Sequence, residues 1–152
     1  MLDVGDKAPE FNLVREDGQV VTLKDLLQEG PLILYFYPAD FTSMCTSEAC
    51  EIRDRHKKLR AVNSNVVGVS PQEASSHNLF RDKYDLPFPL LDDPKKEVIK
   101  AYGVNGPMGL GVRRVTFLIN QDKEIIKRVV SDFRVKRHTA LIDSVIDGVG
   151  VI

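Results

Sequence analysis

Nearly uninterrupted apolar runs alternate with amphipathic stretches along this chain, which predicts a sheet of buried strands joined by helices. The two most apolar runs cover residues 32–37 and 65–69, and each has the length of a strand buried on both faces. Between them, residues 43–62 place apolar side chains on one side of a helix and charged side chains on the other. This part of the chain is therefore predicted to form a strand, a long helix and a second strand.

The shorter segments complete the predicted order of elements. Strands are predicted at residues 11–14, 20–23, 114–120 and 124–130, an extended segment at 86–91, and helices at 24–28, 73–84, 92–102 and 138–149. Pro94, after Asp92-Asp93, is taken as the first residue of the third of these helices. Turn residues predict two hairpins, at Asp17-Gly18 and at Gln121-Asp122-Lys123.

Alternating strands and helices that end in a hairpin and a helix predict an α/β protein. The expected architecture is a thioredoxin-like fold, with a mixed central sheet flanked by helices. The glycine-rich stretch 103–111 lacks the lysine and hydroxyl residue that end a phosphate-binding loop, so it is predicted to be a flexible loop. Residues 1–152 are expected to form a single domain.

Length and composition exclude several classes of protein. The chain has 152 residues, of which 43% are hydrophobic and 28% charged, as in a folded domain with its own core. The net charge of −1 and the lack of a long basic run argue against binding to nucleic acid. The longest apolar run, residues 31–39, is far shorter than the ~20 residues of a membrane span, and residues 1–11 do not resemble a signal peptide. We therefore expect a cytoplasmic protein without membrane contact.

Cys45 and Cys50 are the two cysteines of the chain, too few for the disulfide framework of a small secreted protein. In a reducing compartment, a close pair of cysteines is more often catalytic or metal-binding. The histidines at 56, 77 and 138 lack ligand-like spacing to the cysteines, and a zinc site needs four ligands. We interpret His56, His77 and His138 as surface residues, and we expect neither a metal nor another cofactor.

Cys45 lies where the first apolar run gives way to the long helix, so its thiol is predicted to sit at a helix N-terminus. A cysteine attacks as its thiolate, and lowering the pKa of a thiol by two units takes about 2.7 kcal/mol. A helix N-terminus usually supplies about 0.3–1 kcal/mol, so a nearby cation is also needed. Arg53, the nearest arginine along the helix, lies ~12 Å further along the axis. The cation is therefore expected to come from another element of the fold.

The segment from Pro38 to Cys45, PADFTSMC, carries the pattern Pro-x-x-x-Thr-x-x-Cys. In this pattern the chain resembles the peroxiredoxins. The continuation CTSEACEIRD, with Cys50 five residues after Cys45, is similar to the branch of bacterioferritin comigratory protein and peroxiredoxin Q. The resemblance extends from GDKAPEFNL through YFYP to RRVTFLIN and SDF. One departure is Ser43-Met44, where many members carry Pro-Gly; it places an oxidisable thioether next to the cysteine in sequence.

The resemblance implies a thiol-dependent peroxidase that reduces hydrogen peroxide or organic hydroperoxides without metal, haem or flavin. Cys45 would attack the peroxide and become a sulfenic acid, and Cys50 would resolve it as an intramolecular disulfide. A thioredoxin-like or glutaredoxin-like donor would then restore both thiols. The branch that the chain resembles often works as a monomer, so a monomer is expected.

Four further residues receive roles from the resemblance, and each has an ordinary structural explanation beside it. Thr42 would orient the peroxide, or it would only cap the helix by accepting from the Cys45 amide. Pro38 would shield the thiolate from water, or only end the strand. Arg114 would stabilise the thiolate and the transition state, or be a solvated charge. Glu48 would hold that arginine in place, or only complement the helix dipole.

Helical spacing constrains how the two cysteines could react with each other. Five residues of helix separate Cys45 and Cys50 by ~7.5 Å along the axis and place them on different faces. A disulfide needs Cα atoms within ~7 Å and converging side chains. A helical reduced form therefore has to unwind locally before the bond can close.

Two other functions and one structural explanation remain open from the residues. A general dithiol-disulfide oxidoreductase is disfavoured by the missing Cys-x-x-Cys motif. A metal-carrying thioredoxin-like protein would use the cysteine pair together with His138. Cys50, finally, could be a small core residue of the helix.

Overall fold

A computed structural model describes residues 1–148, and its elements follow the order that the sequence predicts. The strands are β1 (Asn12–Arg15), β2 (Val20–Thr22), β3 (Leu32–Phe36), β4 (Asn65–Ser70), β5 (Leu90–Asp92), β6 (Val115–Ile119) and β7 (Ile125–Val130). The helices are α1 (Leu23–Leu26), α2 (Ser43–Ala61), α3 (Ala74–Tyr84), α4 (Glu97–Ala101) and α5 (Val135–Ile146). A short 3₁₀ turn, Pro107–Gly109, lies within the glycine-rich stretch.

The seven strands of this part of the chain form a mixed sheet in the order β2-β1-β5-β4-β3-β6-β7. The three central strands β5, β4 and β3 run parallel, whereas every other neighbouring pair is antiparallel. The two hairpins that turn residues predicted, β1–β2 and β6–β7, are both present. The mixed sheet with flanking helices confirms the predicted α/β architecture.

Two apolar cores lie on opposite faces of the sheet, because successive side chains of β3 point to opposite sides. Leu34 and Phe36 pack in one core with residues of α1 and α4. Ile33 and Tyr35 pack in the other core with residues of α2, α3 and α5. All five residues of β3 are buried, as the uninterrupted apolar run predicts.

The inward stripe of α2 includes two residues of the predicted site. Its buried residues follow helical spacing: Cys45, Glu48, Ala49, Ile52 and Leu59. Because positions three and four apart share a face, the fold that buries Ile52 also buries the thiol of Cys45 and the carboxyl of Glu48. This stripe faces the sheet and α5, so both groups are removed from solvent.

The predicted start of the helix at residues 92–102 is wrong. Asp92 ends β5, and α4 begins only at Glu97, because Lys96 adopts a left-handed backbone with a φ of 58°. Asp93 nevertheless supports the helix from outside, since its carboxylate accepts from the backbone N–H groups of Glu97 at 3.0 Å and Ile99 at 2.8 Å. The acidic residues thus correctly predicted that a helix follows, but not the residue at which it begins.

The last helix also begins earlier than predicted, at Val135. Its predicted end at residue 149 lies outside the described residues. None of the helices within residues 1–148 is both long enough and apolar enough to cross a membrane.

Candidate active site

Cys45 lies in the first turn of α2, and only 2% of the residue is exposed. The loop after β3 leads into Thr42, which has an extended backbone and occupies the N-cap position before Ser43. The first backbone bond of the helix runs from the N–H of Thr46 to the carbonyl of Thr42 at 2.8 Å. The positive end of the helix dipole therefore lies at the turn that carries the thiol.

Thr42 and Pro38 belong to the loop that joins β3 to the helix of Cys45. The Thr42 hydroxyl donates to the carbonyl of Ala39 at 3.0 Å and makes no cap bond, so the alternative of a side-chain cap is wrong. Thr42 is exposed. Pro38 is half-buried directly after β3 and lines a cavity of about 380 Å³ together with Leu110, Arg113 and Asp132.

Arg114 brings a cation to Cys45 from outside α2. The register of β3 and β6 pairs Phe36 with Val115, so the residue before β6 lies beside the junction of β3 and α2. The Nη2 of Arg114 donates to the Sγ of Cys45 at 3.3 Å, and only 4% of the arginine is exposed. Arg114 is therefore not a solvated charge, and its field acts on the sulfur with little screening.

Three contacts hold the arginine in this orientation. Its Nη1 donates to the Oε1 of Glu48 at 2.9 Å, its Nε to the carbonyl of Asp132 at 3.3 Å, and its backbone N–H to the Asp132 carboxylate at 3.1 Å. Burial opposes the charge of Arg114, but Glu48 and Cys45 outweigh it and raise the pKa of the guanidinium. Arg114 therefore stays charged within the buried site.

Glu48 is completely buried and uses only one of its carboxyl oxygens in a hydrogen bond. Its Oε2 has no hydrogen-bond partner among the described residues and lies 3.7 Å from the Nδ1 of His138. Burial raises the pKa of Glu48 to about 7, although the charge of Arg114 opposes the rise. Glu48 therefore contacts the arginine directly, which goes beyond complementing the helix dipole.

His138 is also completely buried, so its interpretation as a surface residue is wrong. Its Nε2 donates to the carbonyl of Ser131 at 2.8 Å, and its Nδ1 accepts from the hydroxyl of Thr116 at 2.7 Å. Burial lowers the pKa of His138, which fits a neutral ring with the proton on Nε2. Because both ring nitrogens are engaged, the metal-carrying alternative loses the histidine that it requires.

The sequence comparisons identify the family. Residues 4–128 match the AhpC/TSA family. The chain belongs to this family and is a peroxiredoxin. Peroxiredoxin Bcp of Bacillus subtilis is 36% identical over 145 residues, which cover 91% of each chain. The chloroplastic peroxiredoxin Q of rice, Oryza sativa subsp. japonica, is 36% identical over 135 residues, which cover 88% of this chain and 62% of the relative.

Solved structures agree with this assignment. The crystal structure of peroxidoxin BcpB from Mycobacterium tuberculosis superposes with a TM-score of 0.90 at 31% identity and covers 97% of this chain and 98% of its own. The predicted thioredoxin-like fold and the resemblance to the Bcp and peroxiredoxin Q branch are thus confirmed. As a member of this family, the protein is a thiol-dependent peroxidase and an oxidoreductase.

The two cysteines of this peroxiredoxin are both free thiols. Cys45 is buried and Cys50 is half-buried, and α2 runs without interruption through both positions. The helical rise separates the two residues by ~7.5 Å along the axis. The structure is thus the reduced form in which a disulfide between them cannot close.

Sequence patterns missed a second buried polar cluster, next to the loop that precedes α2. The carboxylate of Asp40 accepts from the hydroxyl of Tyr37 at 2.6 Å, from Ser76 at 2.7 Å and from the Nδ1 of His77 at 2.7 Å. The backbone N–H of Asp40 donates to Gln72. His77 is completely buried, so its surface interpretation is also wrong, whereas His56 is half-buried. This cluster anchors the loop between Pro38 and Thr42 to α3.

A larger cavity, of about 780 Å³, opens on the outer side of the first turn of α2. Ser43, Met44 and Phe133 are among its lining residues, but Cys45 is not, because its Sγ faces Arg114. The thioether of Met44 therefore belongs to this outer cavity. Within residues 1–148, no group of three or more His, Cys, Asp or Glu side chains could hold a metal ion.

The elevated pKa of Glu48 predicts a specific pH dependence of stability. Well below pH 4.5, Glu48 is protonated in both the folded and the unfolded protein. As the pH rises from 4.5 to about 7, Glu48 ionises in the unfolded chain before it ionises in the folded protein, which favours unfolding. The free energy of unfolding of the reduced wild type, minus that of Glu48→Gln, should therefore fall by about 3 kcal/mol across this window. Above it, the difference should be constant.

Urea unfolding at a series of pH values measures this difference. Asp92, whose pKa burial raises to about 6, titrates in the same window but cancels because both proteins contain it. The matched control is Glu51→Gln on the same helix, whose half-exposed carboxylate pairs with Arg55. If the difference in free energy of unfolding between the wild type and Glu48→Gln were the same at every pH, the elevated pKa of Glu48 would be contradicted.

Proposed function

We propose that this peroxiredoxin reduces hydrogen peroxide and organic hydroperoxides through a Cys45 sulfenic acid and a Cys45–Cys50 disulfide. The observation that carries the proposal is the 3.3 Å hydrogen bond from Arg114 to the buried Sγ of Cys45. A thiol at a helix N-terminus and against a fixed guanidinium is stabilised as the thiolate, which is the attacking form.

The first chemical step forms a bond between the Sγ of Cys45 and one peroxide oxygen while the O–O bond breaks. Negative charge moves from the sulfur to the departing oxygen, and Arg114 lies where it can stabilise both ends of this movement. The departing oxygen takes up a proton and leaves as water or an alcohol. Glu48 and Asp132 act as positioning residues, because they hold the guanidinium and do not contact the thiol.

Thr42 and Pro38 shape the path of the peroxide to the sulfur. The exposed Thr42 hydroxyl has one proton and two lone pairs, so it can exchange its bond with Ala39 for a bond with a peroxide. Pro38 has no N–H to donate and is half-buried directly after β3, and its proposed role is to limit the access of water to the thiolate. Both roles predict that the surroundings of Thr42 and Pro38, more than the reactivity of the thiol, determine whether small or large peroxides are preferred.

Cys50 is the proposed resolving residue. The first turns of α2 unwind after oxidation, and the thiol of Cys50 then attacks the sulfenic acid and releases water. The unwound disulfide is accessible to a thioredoxin-like or glutaredoxin-like donor, which returns both thiols by exchange. Because the cycle requires such a reductant, we propose a cytoplasmic location. We also propose a monomer as the working state, which rests on the resemblance to the peroxiredoxin Q branch.

Intact mass of the reduced protein after one equivalent of hydrogen peroxide tests the cycle. The wild type is expected to lose two hydrogens as the disulfide forms, and Cys50→Ser is expected to gain one oxygen as the sulfenic acid persists. Unchanged masses for both would refute the peroxidase cycle and favour disulfide exchange, which insulin reduction would then reveal. A wild type that keeps one added oxygen and does not lose two hydrogens would refute the assignment of Cys50 as the resolver.

A further inference from the structure

Two acidic groups share a single cation in the buried site. The Nη2 of Arg114 lies against the Sγ of Cys45, and its Nη1 lies against the Oε1 of Glu48. All three residues are almost fully buried, with exposures of 2% for Cys45, 4% for Arg114 and 0% for Glu48. In such a site, two negative charges beside one positive charge carry a large penalty, because water cannot solvate the excess.

The surroundings of Glu48 favour a proton on the oxygen that faces away from the arginine. Its Oε2 accepts no hydrogen bond from the described residues and faces the Nδ1 of His138 at 3.7 Å. That Nδ1 is an acceptor, because the Nε2 of the ring donates to Ser131. That lone pair already accepts from the hydroxyl of Thr116, so no donor among the described residues stabilises an ionised Oε2, and the neutral acid costs less to bury.

Within residues 1–148, the groups packed around Glu48 from other elements do not offer a second positive charge. From β3, Tyr35 contributes a buried phenol, whose pKa burial and the charge of Glu48 raise well above its usual value, so it stays neutral. From α5, His138 is neutral because burial lowers its pKa. From its own helix, Cys45 contributes a negative charge when it is a thiolate. Arg114 therefore has to balance both acids.

We propose that Glu48 holds a proton while Cys45 is a thiolate and releases it when Cys45 is oxidised. This inference rests on the proposed function, because it concerns the proton balance of the same reaction. It makes Glu48 a proton reserve as well as a positioning residue for Arg114.

The reaction balances in atoms and charge. A thiolate, a carboxylic acid and a hydroperoxide become a sulfenic acid, a carboxylate and an alcohol, or water in the case of hydrogen peroxide. The S–O bond forms, the O–O bond breaks, and the departing oxygen gains one proton as Glu48 loses one. Loss of the thiolate charge leaves Arg114 with a single acidic partner, which lowers the proton affinity of Glu48. The count is the same whether the proton moves directly or through water.

Proton uptake during a single oxidation tests the proposal. The Cys50→Ser protein is mixed with hydrogen peroxide near pH 7 in dilute buffer with a pH indicator. If Glu48 supplies no proton, about one proton per Cys45 disappears from solution, because the departing oxygen takes it. Molecules in which Glu48 holds the reserve proton supply it to the departing oxygen themselves, so uptake near pH 7 should fall clearly below one proton per Cys45.

Two variants in the same Cys50→Ser background decide the origin of the proton. Glu48→Gln should restore uptake to about one proton, whereas Glu51→Gln, which changes an exposed carboxylate on the same helix, should leave it at the lower value. Equal uptake in the proteins with and without Glu48 would overturn the inference. Intact mass of the same samples distinguishes a failure of this inference from a failure of the proposed function. If Cys45 has not gained one oxygen, the proposed function fails as well.

Infrared difference spectra provide a measurement that does not depend on the reactivity of Glu48→Gln. In the Cys50→Ser protein, the carbonyl band of a protonated carboxyl should disappear on oxidation, and a carboxylate band should appear. The same change is expected in the Cys50→Ser, Glu51→Gln protein. A spectrum without this loss, in samples that have formed the sulfenic acid, would overturn the inference.

Discussion

The variant Arg114→Gln is expected to react with hydrogen peroxide about 10²- to 10³-fold more slowly than the wild type. Its guanidinium lies 3.3 Å from the sulfur and is largely withdrawn from water, so its charge acts at close range on the thiolate and the departing oxygen. Glutamine retains a hydrogen-bond donor but removes the charge. Because the chain contains no tryptophan, rapid quenching followed by intact mass is the suitable measurement of the rate.

Two further variants test whether the rate depends on the position of the positive charge or only on its presence. Arg53→Gln removes an arginine of α2 whose Nη1 donates to the carbonyl of Tyr84, and it should react like the wild type. Arg114→Lys should fall between wild type and Arg114→Gln, because an ammonium cannot contact the sulfur and Glu48 with two fixed N–H groups. A folded Arg114→Gln protein with wild-type reactivity would remove this arginine from the proposed mechanism.

The Arg114→Gln protein should remain folded, which makes its rate interpretable. Removal of one partner from a buried ion pair is often strongly destabilising, because the other charge is left uncompensated. Glu48 avoids this outcome by taking up a proton, since burial already raises its pKa to about 7. Circular dichroism at pH 7 and below would verify that the variant keeps the fold.

The need for a cation from another element could be predicted from the sequence, but the cation itself could not without the family resemblance. Helical spacing excludes Arg53, and thiolate chemistry requires a positive charge, so both conclusions need only the local chain. The position of Arg114 depends on the pairing of Phe36 with Val115 between β3 and β6. Such a pairing joins segments that lie far apart in the chain, and the hydrophobic pattern of a strand does not identify the strand that lies beside it.

Buried polar residues were predicted least well. His138 shares the inward face of α5 with Leu141, Ile142 and Val145, at spacings of three, four and seven. The correct helix prediction therefore contained the signal for its burial. A polar side chain on an inward face is tolerated only when another element satisfies it, and Thr116 of β6 does so here. Sequence alone shows the position but not the partner.

Replacement of Cys50 by serine is expected to abolish donor-dependent turnover while the first oxidation of Cys45 proceeds at about the wild-type rate. Cys50 is half-buried and separate from the contacts between Cys45 and Arg114, so its loss should not change the attacking thiolate. The sulfenic acid that forms is buried against the arginine, and a large donor cannot reach it while α2 stays helical. Coupled assays with a thioredoxin-like donor measure turnover, and single-turnover quenching measures the first step.

The reciprocal variant Cys45→Ser provides the control, because it should lose both the first oxidation and the turnover. In the wild type, disulfide formation should also proceed at a rate that does not depend on peroxide concentration, since unwinding of α2 precedes the attack by Cys50. The chain has only these two cysteines, so no other thiol of the same molecule can replace Cys50. Persistent turnover of Cys50→Ser would therefore mean that the donor itself attacks the sulfenic acid, and that α2 opens to partners even without an internal resolving thiol.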